Sequence, residues 1–282
     1  MAAQSVERPL PPDPLPSSVV DSHCHLDMCA ADGGPTVQEA LAAAAEVGVT
    51  KMIQVGCDVQ GSRWAAKVAS EYDDIWAAVA LHPNEAPRIH ASGGLTLLEA
   101  AWREIGELAE LPQVRAIGET GMDFFRTETS GRAIQEEPFR FHIGLAKRLG
   151  KTLVVHDRDS HDDVLRILDD EGHPDVVVLH CFSGDADFAR AASERGWYLS
   201  FSGVLTFKNA AELREAAAVV PEERLLVETD APFLTPVPFR GKPNAPYLVP
   251  LTVRGLAEVR DLDVAQLCRT LYANSTRAFG PL

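Results

Sequence analysis

The stretch Val19-Val20-Asp21-Ser22-His23-Cys24-His25 opens as an apolar strand and closes on ionisable side chains. Side chains on a strand alternate between its two faces. His23 and His25 therefore share one face, and Cys24 points to the other. Two imidazoles on one face suit a single divalent cation, because neutral imidazole is a common metal ligand. Working outward, seven more short apolar or β-branched runs follow: Lys51–Gly56, Ile75–His82, Val114–Glu119, Thr152–His156, Val176–His180, Trp197–Ser202 and Leu225–Asp230. Helical, often Ala-rich segments separate them: Val37–Val47, Leu95–Leu111, Gln135–Leu149, Asp185–Arg195 and Ala210–Val219. Gly48 and Gly150 stand where helices commonly end. Ser160 with Asp163 resembles a capping box that opens another helix.

Strands alternating with helices predict βαβ units and a parallel sheet. Eight such units in about 250 residues match a closed (β/α)8 TIM barrel, an α/β fold. The alternative is a doubly wound open sheet. The barrel is expected as a single domain over residues 19–282, with Leu262–Phe279 as an extra C-terminal helix. Residues 1–18 hold Pro9, Pro11, Pro12, Pro14 and Pro16 and read as a flexible tail that packs no core.

The 282 residues include 46% hydrophobic and 24% charged side chains, as globular proteins do, and carry a formal net charge of −15. Such an acidic balance argues against a protein that coats nucleic acid with a broad basic surface. It leaves room for a nuclease with a small local site. No apolar run is long enough for a membrane-spanning helix, and no signal-peptide core is present. The odd count of five cysteines points to reduced thiols and a cytoplasmic location.

Six of the eight strands end in an ionisable residue: His25, His82, Glu119, His156, His180 and Asp230. In a parallel barrel the C-terminal strand ends surround one mouth, where active sites lie. Residues far apart in sequence would converge there, and buried ionisable groups need partners. Glu119, in Gly118-Glu-Thr-Gly-Met-Asp123, has two carboxylate oxygens and can bridge two cations. With His23, His25, His156, His180 and Asp230 it forms a set too large for one catalytic ion, which usually keeps about three protein ligands. The set suits two ions close together. Cys24 and Cys181 each face away from a neighbouring histidine and read as buried small residues. Glu228 lies one layer below Asp230 on the same face, as a carboxylate that supports a metal-bound histidine. His90, read as part of a loop, and His142, His161 and His173 are assigned no metal role.

Four segments, Asp21–Asp27, Gly118–Asp123, His180–Gly184 and Glu228–Leu234, strongly resemble the TatD family of metal-dependent deoxyribonucleases. Leu81-His-Pro83, His156-Asp-Arg158 and Phe201–Asn209 resemble it too, so the likeness runs from about Val19 to Phe279. It implies a TIM barrel of the wider metallo-dependent hydrolase group, with His23, His25, Glu119, His156, His180 and Asp230 as metal ligands and Glu119 as the bridge. One departure stands out. The family often carries Arg-Gly-Lys-x-Asn-Glu-Pro after the eighth strand, and this chain has Arg240-Gly-Lys-Pro-Asn-Ala-Pro246, with Ala245 in place of the glutamate.

The reading that follows is a hydrolase using two divalent ions (Mg2+, Mn2+ or Zn2+) to cut phosphodiester bonds of DNA, as an exonuclease. The alternative is an amidohydrolase or esterase built on the same barrel. Asp230 accepts the proton of the attacking water, Glu119 bridges, and His82 contacts a phosphate or leaving group or supports a ligand. Arg126, Arg158, Lys208, Arg240 and Lys242 are placed to hold phosphates. The DNA partner is expected as strand ends or single strands, engaged only when metal offsets the acidic surface. No membrane and no obligate protein partner are inferred.

Overall fold

The computed structural model describes residues 8–31 and 34–281. Eight strands line up in parallel: β1 (Val19–Cys24), β2 (Val49–Gly56), β3 (Ile75–Val79), β4 (Val114–Asp123), β5 (Thr152–Arg158), β6 (Val177–Leu179), β7 (Tyr198–Phe201) and β8 (Leu225–Val227). Each pairs with the next in sequence. The seam between β8 and β1 is drawn together by a bridge between Cys24 and Ala231. There the His25 amide donates to Ala231 O at 2.8 Å and the Asp230 amide to His23 O at 2.9 Å. The result is the expected TIM barrel.

Ten helices accompany the strands among the described residues: α1 (Leu26–Ala30), α2 (Val37–Glu46), α3 (Val59–Glu71), α4 (Glu85–Ala109), α5 (Thr129–Leu149), α6 (His161–Glu171), α7 (Ala186–Glu194), α8 (Ala211–Val219), α9 (Val249–Arg260) and α10 (Val264–Phe279). Two apolar clusters share the interior. The larger lies between the sheet and the helices. The smaller fills the barrel with Ile53, Val55, Ala116, Val154, Val178 and Leu226, and Phe279 of α10 joins it. Strand alternation explains the split, since residues of opposite parity face opposite sides of the sheet.

Several local expectations are corrected. The Ser160 side chain bonds Met122 O and the Asp157 carboxylate instead of capping α6. The complete capping box is Thr36 with Glu39 on α2. The helix expected from Leu95 begins at Glu85 and is broken at Gly93–Gly94, where Gly94 has φ +68°. His90 therefore lies in a helix, not a loop. Helices α3 and α9 were not anticipated.

The tail is corrected as well. Residues 1–7 lie outside the described residues, but Pro9 and Leu15 are buried. The Tyr247 hydroxyl donates to Pro9 O at 2.7 Å, Arg254 donates to Asp13 O at 2.7 Å, and the Leu15 amide donates to Val47 O at 3.0 Å. Proline lacks an amide hydrogen yet keeps its carbonyl. An extended Pro-rich strap can thus be tied down by side-chain donors from the barrel.

Candidate metal centre

The histidine and carboxylate side chains expected at the strand ends meet at one mouth. His23 of β1 and His25 just after it bring their Nε2 atoms within 3.3 Å of each other. Asp230, after β8, places Oδ1 3.3 Å from His25 Nε2 and 3.8 Å from His23 Nε2. Glu119 Oε2 lies 3.5 Å from His23 Nε2. The other oxygen, Oε1, faces a second set: His180 Nε2 at 2.8 Å, His82 Nε2 at 3.4 Å, and His156 Nδ1 in hydrogen-bond contact. Two donor groups therefore share one carboxylate, with one of its oxygens turned to each.

The backbone around Glu119 explains its reach. Ala116 points into the barrel, so simple alternation would turn residue 119 outward. The β4–β5 register is irregular between Ile117 and Thr120, which releases Glu119 from that phase. Close packing on both sides demands glycine. A Cβ on Gly118 would lie 2.6 Å from Val154 O, and one on Gly121, at φ +139°, would lie 2.1 Å from His156 O.

Carboxylates behind the ring steer the imidazoles. Glu228 Oε1 stands 3.2 Å from His180 Nδ1 and accepts the Cys181 amide at 2.8 Å. Asp123 Oδ2 stands 3.4 Å from His156 Nε2 and accepts from Asn84 Nδ2 at 2.8 Å. His25 Nδ1 meets Val55 O at 3.0 Å, which leaves Nε2 for the centre. Neither Asp123 nor its Asn84 partner was singled out from sequence.

Proton affinities follow this crowding. Burial pushes the Glu119 carboxyl up, but His180, His82 and His156 outweigh it and hold the group well below the usual range. Asp230 is likewise held down against burial by its hydrogen bond with His25 and the charges of His23, His25 and His180. Burial pulls His180 down, yet Glu119 and Glu228 raise it well above an ordinary histidine. Burial keeps His23 and His82 below it. Ionised carboxylates facing imidazole nitrogens at 2.8 to 3.8 Å make a donor set suited to a divalent cation. His23 Nδ1 and Glu228 Oε2 are also buried without partners among the described residues. The groups able to hold an ion include His23–His25–Asp230 and His82–Glu119–His156. The second of these adds His82, which the sequence had left outside the ligand set.

One thiol was missed. Cys57, the first residue after β2, places Sγ 3.8 Å from His25 Nδ1 and 3.8 Å from Glu119 Oε2. β2 itself closes on Gly56 and so gave no ionisable signal. Cys24 behaves as expected, buried with Sγ toward Ile53 O. Cys181 Sγ meets Ser202 Oγ at 3.3 Å.

The candidate phosphate holders sit farther out. Arg158 lies over the exposed ring of Phe125, 3.9 Å from its centroid, and Arg240 over Phe207 at 3.5 Å. Arg240 and Lys242 line a cavity of about 400 Å3 beside the loop after β8. Arg126 and Lys208 are exposed. Arg126, Arg158, Lys208 and Arg240 form no ion pair among the described residues. The loop carrying Ala245 is anchored by its neighbour: Asn244 Nδ2 donates to Thr229 O at 2.8 Å and Phe233 O at 2.6 Å. The loop thus has ties to the end of β8 without a glutamate at 245.

A parallel barrel with histidines and carboxylates gathered at its C-terminal mouth belongs to the metal-dependent hydrolases. A family model described as TatD related DNase matches residues 20–280, and the chain belongs to that family. It is 44% identical over 266 residues to the uncharacterized metal-dependent hydrolase TatD of Mycobacterium tuberculosis, covering 93% of this chain and 98% of that protein. It is 37% identical to the uncharacterized metal-dependent hydrolase YabD of Bacillus subtilis, over 92% of this chain and 98% of the other. Among solved structures, the TatD homolog YjjV of Escherichia coli K12 superposes with a TM-score of 0.85 at 26% identity, covering 94% of this chain and 98% of its own. No helix among the described residues is long and apolar enough to cross a membrane.

Proposed function

We propose that this TatD-family hydrolase uses two divalent ions to cut phosphodiester bonds of DNA, working as an exonuclease on strand ends or single strands. One observation carries the reading: Glu119 turns Oε2 to His23 and Oε1 to His156 and His180, so a single carboxylate serves two donor sets. The family description supports DNA as substrate.

Two bound divalent ions would supply a water acidified toward neutral pH and neutralise charge on phosphoryl oxygens. The residues of the chain do the rest. Glu119, His23, His25, His156, His180 and Asp230 would hold the ions. Asp230, at the mouth, takes the proton of the attacking water. His82 faces Glu119 from the third strand and contacts the leaving group. Arg158, Arg126, Lys208 and Arg240 bind the nucleic-acid backbone, and the Phe125 ring fixes one face of the Arg158 guanidinium. The acidic remainder of the surface repels a long duplex.

The test is a substrate panel with purified protein: a single-stranded oligonucleotide, a duplex, a lactone and an amide, each with Mg2+, Mn2+ and Zn2+. Metal-dependent shortening of the single strand, absent in Glu119→Ala, is expected. Turnover of the lactone or amide with the oligonucleotide left intact would assign the barrel to C–O or C–N hydrolysis instead.

A further inference from the structure

We propose that Cys57 is a further ligand of this centre, a thiolate on the Glu119 Oε2 side that biases the protein toward Zn2+ and similarly thiophilic ions. The inference rests on the metal reading of the mouth. It concerns one residue that the reading does not require.

Glu119 and His156 lie in β4 and β5, and His25, His82, His180 and Asp230 follow β1, β3, β6 and β8. Cys57 follows β2 in the same way, between the positions of His25 and His82. Its Sγ lies 3.8 Å from Glu119 Oε2. Zn–S and Zn–O bonds of about 2.3 and 2.1 Å allow two donors on one ion to stand no more than about 4.4 Å apart. The observed spacing lies within that limit. The same Oε2 is the oxygen turned to His23, whose Nε2 adjoins His25 Nε2 and Asp230 Oδ1. Donor atoms of Cys57, His25 and Glu119 all lie within 4.8 Å of one another, so the thiol stands on this side of the centre among nitrogen and oxygen donors.

The thiol is also held in place. The Cys57 carbonyl accepts the His82 amide at 2.8 Å. Just before it, a Cβ on Gly56 would lie 2.5 Å from Ser62 Cα, so α3 packs directly on the end of β2. Just after it, Asp58 caps α3 by accepting the Gly61 amide at 2.6 Å. On the other side, His25 Nδ1 stands 3.8 Å from the sulfur.

Coordination deprotonates a thiol outright, the proton passing to solvent. A thiolate is a soft donor that favours Zn2+ over Mg2+ or Mn2+, which prefer oxygen.

Cobalt(II) substitution tests this without relying on turnover. Visible ligand-field bands report Co2+ held by the centre, and a near-ultraviolet charge-transfer band reports a thiolate bound to it. Wild type is expected to show both. Cys57→Ser and Cys57→Ala should keep the visible bands and lose the near-ultraviolet one. Zn2+ affinity should fall roughly tenfold relative to Mn2+, at the low end of what lost support costs a metal centre. A wild-type cobalt spectrum without the charge-transfer band overturns the thiolate assignment alone, whatever the variants do. So does a band that survives Cys57→Ser, or one lost in Cys181→Ser instead. Absence of visible cobalt bands from wild type overturns the metal reading and this proposal together.

Discussion

Glu228 Oε1 lies 3.2 Å from His180 Nδ1, and the opposite nitrogen of that ring lies 2.8 Å from Glu119 Oε1. The buried carboxylate therefore fixes which nitrogen His180 presents to the centre. Glu228→Gln keeps the shape and removes the charge. Metal-ligand histidines that lose such a partner typically cost about 10- to 100-fold in affinity. Calorimetric titration with Mn2+ should show a loss of that size, with unchanged far-ultraviolet circular dichroism. Unaltered affinity would reduce Glu228 to a packing role.

Asp230 combines a ligand position with an unusual backbone. Its φ of +55° is a left-handed conformation that Asp and Asn tolerate better than most residues. Asp230→Asn thus preserves the backbone while removing the proton acceptor. Loss of a general base typically costs about 10²- to 10⁴-fold in rate. Single-turnover cleavage of an oligonucleotide should slow by that factor, with the melting temperature nearly unchanged. Wild-type turnover by the pure variant would remove Asp230 from the proposed chemistry.

A buried side-chain pair adds to the backbone bonds of the barrel seam. Asp21 Oδ1 accepts the Thr229 amide at 2.9 Å, and Oδ2 accepts the Thr229 hydroxyl. Thr229→Val keeps the volume but leaves that carboxylate oxygen short of a donor. An unsatisfied buried group costs about 1–3 kcal/mol, more if charged. Urea unfolding should show at least that loss, and Thr229→Ser, which keeps the hydroxyl, should lose much less. A loss in Thr229→Val no larger than in Thr229→Ser would show that the hydroxyl bond adds nothing beyond packing.

Much of this was legible because burial and periodicity act locally. Strands β1 to β8 stand out as apolar runs, and the sheet places their ends at one mouth whatever lies between. Helices α3 and α9 escaped because each carries residues that weaken a helical pattern. Gly61 and Ser62 interrupt the pattern of α3, while α9 carries Pro250 and Gly255. Pro250 is tolerated because first-turn amides lack intrahelical partners. Cys57 and the partners of Asp123 escaped because neither has a periodic signature. Their roles come from distances across strands, which only the closed barrel creates. The strap from Pro9 to Leu15 looked unable to pack because composition does not reveal that Tyr247 and Arg254 supply its missing donors.

His142 carries an acid sensitivity that lies apart from the metal chemistry. It is fully buried in α5, with Nδ1 hydrogen-bonded to the Thr120 hydroxyl at 2.8 Å and Nε2 without a partner among the described residues. Burial lowers its pKa from 6.5 to about 3. The folded protein therefore keeps this ring neutral, while the unfolded chain takes up a proton below about pH 6.5. Proton uptake by the unfolded state lowers stability as pH falls, from about 6.5 down to the folded value near 3. At about 1.36 kcal/mol per pH unit, His142 should account for about 2 kcal/mol of lost stability between pH 7 and pH 5. His142→Gln retains a hydrogen-bonding side chain for Thr120 and cannot titrate. Urea unfolding at the two pH values should give a smaller drop for the variant by about that amount, even if its stability at pH 7 is lower. Identical drops in both proteins would place the acid sensitivity on other groups.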